Sequence, residues 1–209
     1  MHRRTLLALA LLATASAFAA CTSGPPPPDD GPYRAKIEQQ RADSNAFFRS
    51  ADSPLTPETR ATFKGLAYFP IDMAYQVPAR LEVNTVDRAT VLELPQSHTT
   101  EKRKVRRIGV LHFALPTSGA GEMTLTAFAE VDAPDMTRLF VPFTDATSGK
   151  ETYGGGRYLE LTRTPTGLYD LDFNRAYHPY CYFNPGYECP VPPRENRLMV
   201  AVRAGEKLQ

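Results

Sequence analysis

Short apolar runs with a two-residue period follow one another between residues 74 and 204. In the run MTLTAFAEVD, residues 123–132, apolar side chains alternate with polar ones, which is the period of a strand with one buried face. The run KVRRIGVLHFALP comes just before it, across the loop TSGAGE. These two runs therefore predict a pair of antiparallel strands.

Other runs of the same kind predict further strands and two more hairpins. AYQVPARLEV and ATVLELP predict a hairpin around NTVDR, and RYLELTRT and LYDLDFN predict another around the turn PTG. RLFVPF and RLMVAVRA predict single strands, and residues 33–51 predict an amphipathic helix. About seven to eight short strands after one helix, without a βαβ alternation, predict a mainly β fold, an antiparallel sandwich or barrel.

The start of the chain has the pattern of an export signal. A positively charged HRR is followed by the apolar stretch TLLALALLATASAFA and by small residues before Cys21. FAAC resembles a lipobox, in which the cysteine becomes a lipidated N-terminus. The alternative is an ordinary signal-peptidase site at AFA, which leaves a soluble periplasmic or secreted protein. We favour the lipobox because TSGPPPPDDGP resembles a stiff tether, and because lipid on Cys21 leaves an even pair of cysteines.

The chain is therefore predicted to have three parts: a signal peptide (1–20), a proline-rich tether (21–32) and a single β-rich domain with an N-terminal helix (33–209). Lipid on Cys21 would anchor it in the bacterial cell envelope, at the periplasmic face of the outer membrane in a Gram-negative cell. Arg3 and Arg4 also fit a twin-arginine signal, but the strongly apolar stretch favours Sec export. Without the first twenty residues the net charge is about −1, which argues against a nucleic-acid partner.

Three segments carry a family resemblance: FKGLAYFPID, FTDATSGKETYGGGRYL, and YDLDFNRAYHPYCYFNPGYECPVPPRENRL with the later VRAGEK. Over residues 33–207 they resemble the bacterial domain-of-unknown-function family numbered 1684. The resemblance implies an uncharacterised domain and no known reaction. The family pattern has Asn-Pro where this chain has His178-Pro179, which weakens any mechanism that needs an amide there or relies on His178. The matching signature residues are Asp145, Gly149, Tyr153, Gly156, Arg157, Asp172, Asn174, Tyr177, Cys181, Cys189 and Asn196.

A polar pocket is predicted on the last hairpin. With PT as a two-residue loop, Arg157 lies opposite Asn174 and diagonal to Asp172 on one face of the sheet. A guanidinium there offers fixed donors for a carboxylate or phosphate ligand, and the alternative is a structural Arg157–Asp172 ion pair. The other ligand-binding candidates lie in neighbouring segments: Asp145, Tyr153, Tyr177 and His178.

The segment after this hairpin is rich in tyrosine and contains Cys181 and Cys189. In an oxidising compartment this spacing predicts a structural disulfide, which contributes about 2–3 kcal/mol through its short loop. A zinc site that includes His178 is the alternative; the spacing is not that of a zinc ribbon, and we predict no metal and no cofactor. The tyrosines either cover one end of the barrel or form an aromatic wall for a ligand beside Arg157.

Two functions stay open. The first is a lipid-anchored envelope module, binding or structural, that holds a small molecule or an envelope-protein partner. The second is an enzyme, for instance a hydrolase, that uses Asp145, Arg157, Asp172 and His178 around one cleft, although the sequence has no hydrolase motif. The enzyme requires these side chains to converge within hydrogen-bond reach of one concave pocket.

Overall fold

The computed structural model describes residues 30–83, 90–116, 119–132 and 137–209. The predicted signal peptide and nearly all of the predicted tether, with Cys21, lie outside the described residues, as does the predicted loop NTVDR. Within the described ranges, no helix combines the length and the apolar character needed to cross a membrane.

The structure confirms a mainly antiparallel β fold that begins with a helix. The strands are β1 (Gln76–Glu82), β2 (Val91–Pro95), β3 (Lys102–Phe113), β4 (Met123–Glu130), β5 (Arg138–Phe143), β6 (Arg157–Thr162) and β7 (Leu168–Asp172). The helices are α1 (Gly31–Arg49), α2 (Pro57–Ala61) and α3 (Tyr180–Phe183), with short 3₁₀ turns at Met73–Tyr75, Phe173–Arg175 and Arg194–Asn196. Helix α1 begins two residues earlier than predicted, because Pro32 is compatible with a first helical turn.

The strands form one nearly closed, barrel-like sheet in the order β6-β5-β4-β3-β1-β7, with β2 paired to β3. The predicted pairing of the KVRRIGVLHFALP and MTLTAFAEVD runs is confirmed, with Leu111 opposite Leu125. Strand β4 is buried on both faces, because Phe128 packs against Leu94 and Val105 on the side away from the main core.

Both of the other predicted hairpins are wrong. Strand β1 lies between β3 and β7 and does not pair with β2. Strands β6 and β7 are joined by the predicted PTG turn, but they lie at opposite ends of the strand order. Each pairs along its length with another strand, with Phe143 of β5 opposite Arg157 and Gln76 of β1 opposite Asp172. Arg157 therefore does not face Asn174, and the turn closes the barrel without forming a ladder.

The core lies inside this curved sheet. Leu111, Leu125, Leu139 and Leu171 are fully buried there, and each such side chain contributes about 1.5–3 kcal/mol when it leaves water. The rings of Phe113 and Phe143 both contact that of Phe173 in this core. A further buried group comes from the C-terminal segment: Leu198, Val202 and Ala204.

The C-terminal run RLMVAVRA was predicted to be a strand, and this is wrong. In the described residues it is irregular, held by isolated bonds such as Leu198 N–H to the carbonyl of Thr144 at 2.8 Å. In place of a strand partner, the carbonyls of Val202 and Ala204 accept hydrogen bonds from the side chain of Arg157.

Candidate functional site

Arg157 is the first residue of β6 and is only 1% exposed. Its guanidinium donates to the carbonyls of Val202 at 2.7 Å and Glu206 at 3.2 Å, and also to that of Ala204. It pairs with Asp145 at 3.4 Å, and the carboxylate of Asp145 accepts the N–H of Val202 at 2.6 Å. Arg157 and Asp145 thus hold the C-terminal segment to the barrel, and in the described residues the Arg157 donors that were predicted to face a ligand bind backbone carbonyls.

Two glycines allow the chain to approach this cluster closely. Gly156 has φ +90°, and a Cβ there would lie 2.5 Å from the carbonyl oxygen of Phe143. Gly205 has φ +76°, and a Cβ there would lie 2.4 Å from the carbonyl oxygen of Ala176. Both positions require a backbone conformation and a free space that only glycine supplies at low cost.

Asp172 and Asn174 form a second, separate network. The Asp172 carboxylate accepts from the hydroxyl of Tyr33 at 2.9 Å and from the N–H of Asn174 at 3.0 Å. The Asn174 side chain exchanges hydrogen bonds with the backbone of Asp72 at 2.8 and 3.0 Å. This network fastens α1 and the chain before β1 to the end of β7. The predicted ion pair of Asp172 with Arg157 is therefore wrong.

His178 and Glu206 form a third network. The imidazole Nε2 of His178 accepts the N–H of Tyr153 at 3.2 Å, and the N–H of His178 donates to the Glu206 carboxylate at 2.8 Å. Burial lowers the pKa of His178 to about 3, with a further contribution from the charge of Arg157. Burial raises the pKa of Glu206 to about 7. His178 is thus a neutral hydrogen-bond acceptor, and Glu206 is a buried carboxyl that titrates near neutral pH.

Cys181 and Cys189 are buried neighbours beside Tyr158. Both are free thiols in the structure, and the backbone N–H of Cys181 donates to Sγ of Cys189 at 3.2 Å. The two cysteines are therefore close together, as predicted, but the predicted disulfide is not formed in the structure. The hydrogen bond with Cys189 lowers the pKa of Cys181, and Ser97 and Tyr153 add to this. Among the described residues, no group of three His, Cys, Asp or Glu side chains is placed to hold a metal ion.

An open cleft of about 620 Å³ lies between α1 and the tyrosine-rich segment after β7. We call it the tyrosine cleft; its aromatic residues are Phe47, Phe48, Tyr158, Tyr177, Tyr180 and Tyr187. Glu160 lies in its wall, where it accepts from the hydroxyl of Tyr177 at 2.9 Å and pairs with Arg138. The predicted aromatic wall is therefore present, but it lies beside α1 and not beside Arg157.

A smaller pocket of about 220 Å³ adjoins this cleft and shares Ser44, Glu160, Tyr177 and Glu206 with it. We call it the α1 pocket, because four of its lining residues come from α1: Ile37, Gln40, Arg41 and Ser44. The guanidinium of Arg41 lies 4.4 Å above the ring of Tyr68. Its Nε and one of its terminal nitrogens, Nη2, are buried and have no hydrogen-bond partner in the described part of the chain.

The family model described as "Protein of unknown function (DUF1684)" matches residues 61–207. The chain belongs to this family. An uncharacterized protein of Haloarcula marismortui, solved in solution by NMR, is 34% identical to this DUF1684 protein, with a TM-score of 0.66. The match covers 86% of this chain and 96% of that one. No curated protein matches the chain.

Several residues that carry the DUF1684 resemblance, among them Arg157, Asp145 and Asn174, bond to backbone groups in this chain. Asn196, for example, is fully buried and bonds both the N–H and the carbonyl of Thr126, at 2.7 and 2.9 Å. Of the predicted ligand-binding residues, only Tyr177 and His178 line the tyrosine cleft, and Asn174 and Tyr177 line the α1 pocket. Asp145, Tyr153, Arg157 and Asp172 line neither.

Sequence reasoning missed Arg41 and Glu206, which line the α1 pocket. A signal for Arg41 was present, because it follows the buried Ile37 by four residues and so lies on the same helix face. Glu206 lies in the segment VRAGEK that carries the family resemblance, but it was not singled out among the signature residues.

Proposed function

We propose that this DUF1684 protein is an exported, lipid-anchored module of the bacterial envelope that binds a small molecule in the tyrosine cleft. The observation that supports binding is the cleft itself, about 620 Å³ in volume, with aromatic walls and a few charged groups. Ligand sites of proteins typically have this range of volume and this mixture of lining residues.

Support for the anchor comes from the FAAC motif and the proline-rich segment that follows it. Intact-mass measurement of the protein from cell envelopes tests this part. We expect the mass of a chain that begins at Cys21 and carries lipid. A mass without lipid on Cys21 contradicts the anchor and leaves a soluble exported protein.

We further propose that Cys181 and Cys189 are oxidised to a disulfide in the envelope. Two S–H bonds are lost and one S–S bond forms, while two electrons and two protons pass to the disulfide of an envelope thiol oxidase. The proximity of the two thiols supports this step. We expect a mass two hydrogens lower than that of the dithiol form, and no alkylation of the two cysteines before reduction. Two alkylated thiols in the isolated protein contradict the disulfide.

An enzyme that uses Asp145, Arg157, Asp172 and His178 around one cleft has no support from the geometry. Arg157 and Asp145 hold backbone groups, Asp172 holds Tyr33, and His178 accepts a backbone N–H. We therefore keep the binding module as the proposed function.

Blocking the cleft tests the binding proposal. Ser44 is half-buried on α1 and lines both cavities, whereas Ala46 lies on the exposed side of the same helix. Saturation-transfer NMR with phenyl phosphate and benzyl alcohol should detect binding to the wild type and to Ala46→Trp, and loss of binding in Ser44→Trp. Equal signals from the two variants contradict binding in the cleft.

A further inference from the structure

Arg41 is half-buried on α1 and makes no ion pair within the described residues, although two of its guanidinium nitrogens are buried. In the described residues no carboxylate lies within ion-pair distance of it, and Nε and Nη2 have no hydrogen-bond partner. Burial lowers the pKa of Arg41, which reflects the cost of removing its charge from water. A buried hydrogen-bond donor in a protein normally has a partner. Two unpartnered guanidinium nitrogens at a pocket wall therefore indicate a ligand group that accepts hydrogen bonds from them.

Arg157 shows what a structural arginine looks like in the same protein. Its guanidinium donates to three backbone carbonyls and pairs with Asp145, which leaves only Nε without a partner among the described residues. Arg41 instead stacks on Tyr68 and lines a cavity. The two arginines therefore differ in burial and in partners: Arg157 is fully buried and donates to backbone carbonyls, whereas Arg41 is half-buried and lines a cavity.

The other charged groups of the α1 pocket leave Arg41 available. Glu160 is engaged by Arg138 and by the hydroxyl of Tyr177. The Glu206 carboxylate accepts the N–H of His178. Arg175, exposed at the pocket wall, adds a second positive charge. An anion that enters the pocket thus meets two arginines, and its negative charge compensates the positive charge of the partly desolvated Arg41.

The volume of the α1 pocket limits what can enter. At about 30 Å³ for one water molecule, a cavity of about 220 Å³ accommodates a carboxylate or phosphate group and not a whole nucleotide. The lining shared with the tyrosine cleft lets the body of the same molecule lie against the tyrosines.

We infer that the α1 pocket binds the oxyanion of the ligand, a carboxylate or a phosphate group, through the guanidinium of Arg41. This inference rests on the proposed small-molecule function of the tyrosine cleft. It names the chemical class of the ligand: a molecule with one anionic head and a ring or chain body.

The test uses three probes of similar size: phenyl phosphate, benzoate and the neutral benzyl alcohol. In the ¹⁵N-labelled protein, at least one of the two anions should shift the Nε–H signal of Arg41, and benzyl alcohol should not. The anion that does so identifies the head group as phosphate or carboxylate. It should bind about 10-fold or more tightly than benzyl alcohol, as expected for a charge-assisted hydrogen bond.

Variants complete the test. Arg41→Gln should reduce the affinity for the anion to that for benzyl alcohol, while the exposed Arg49→Gln on the same helix should not change it. An anion that binds in the cleft with an unmoved Arg41 signal, or with equal affinity in Arg41→Gln, overturns the inference and leaves the proposed function standing. If no probe, charged or neutral, perturbs the cleft, the proposed function fails as well. The Nε–H signal of Arg41 is measured in the wild type, so it tests whether the anion contacts Arg41 even if Arg41→Gln folds poorly.

Discussion

The guanidinium of Arg157 donates a 2.7 Å hydrogen bond to the carbonyl of Val202, a residue 45 positions later in the chain. Together with the bonds to Ala204 and Glu206, it fixes an irregular C-terminal segment that would otherwise leave buried carbonyls without donors. Such carbonyls cost about 1–3 kcal/mol each when a partner is removed.

Replacing Arg157 should therefore destabilise the fold strongly. We expect Arg157→Met to lower the free energy of unfolding by about 3–5 kcal/mol, because Asp145 and the three carbonyls lose their partner inside the protein. Arg138→Met is the control, since its exposed pair with Glu160 should be worth less than about 1 kcal/mol. Urea unfolding measures both, and equal losses in the two variants contradict a structural role for Arg157.

Gly205 should not tolerate a side chain. In Gly205→Ala the new methyl group would meet the carbonyl oxygens of Ala176 and Phe173 at 2.4 and 2.7 Å, in addition to the cost of positive φ. Gly119 has a similar φ of +63° and open space around it, so Gly119→Ala carries only the conformational cost of about 1–2 kcal/mol. Thermal unfolding should show a clearly larger loss at Gly205, and a loss no larger than at Gly119 would contradict the close approach.

Glu206 and His178 should give opposite slopes of stability against pH. The folded pKa of Glu206 is raised from 4.5 to about 7, so its contribution is present at low pH and is lost as pH rises from about 4.5 to 7. The folded pKa of His178 is lowered from 6.5 to about 3, so its contribution is present above pH 6.5 and is lost as pH falls towards 3. Between about pH 4.5 and 6.5 the two effects oppose each other in the wild type.

Single variants separate these slopes. Glu206→Gln should lose stability on acidification below pH 6.5 by up to about 1.4 kcal/mol per pH unit, because only His178 then titrates on unfolding. His178→Asn, which keeps an acceptor for the N–H of Tyr153, should instead lose stability as pH rises towards 7. Denaturant unfolding across this range measures both, and parallel pH profiles in the two variants would falsify the assignment.

Cys181 should be the more reactive thiol of the reduced protein. Its pKa is lowered by the hydrogen bond with Cys189 and by Ser97 and Tyr153, while the pKa of Cys189 is raised. After reduction, iodoacetamide should modify Cys181 with a half-maximal rate well below pH 8.5, the value of a free cysteine. Tyr153→Phe should move that midpoint upward. Preferential modification of Cys189 contradicts this order.

The sequence predicted where the strands of this fold lie along the chain better than it predicted which strands pair with each other. The alternation in residues 123–132 identified β4, and the neighbouring β3 was correctly paired across a short loop. The PTG turn predicted a β6–β7 hairpin with equal local support, yet β7 pairs with β1, some 90 residues earlier. Local periodicity shows which face of a strand is buried and does not show which strand lies beside it.

The same limit of local sequence patterns explains why the partners of the predicted site residues were not predicted. Arg157 and Asp172 were predicted to share one pocket, but both are buried polar residues whose partners lie far away in sequence, at Val202 and Tyr33. The tyrosine wall was predicted from its density, whereas Arg41 on the facing helix depends on how α1 docks. Helix docking brings together residues more than a hundred positions apart, which a single sequence does not indicate.

In the proposed function, the tyrosine cleft and the α1 pocket form one ligand site. A backbone ¹H–¹⁵N chemical-shift map during titration with phenyl phosphate tests it most directly. We expect the largest shifts at the amides of Arg41, Ser44, Tyr177 and Tyr180, which line the cleft or the α1 pocket. Shifts spread over the surface, or concentrated at the separate pocket that Met73 and His112 line, would contradict a single site in the cleft.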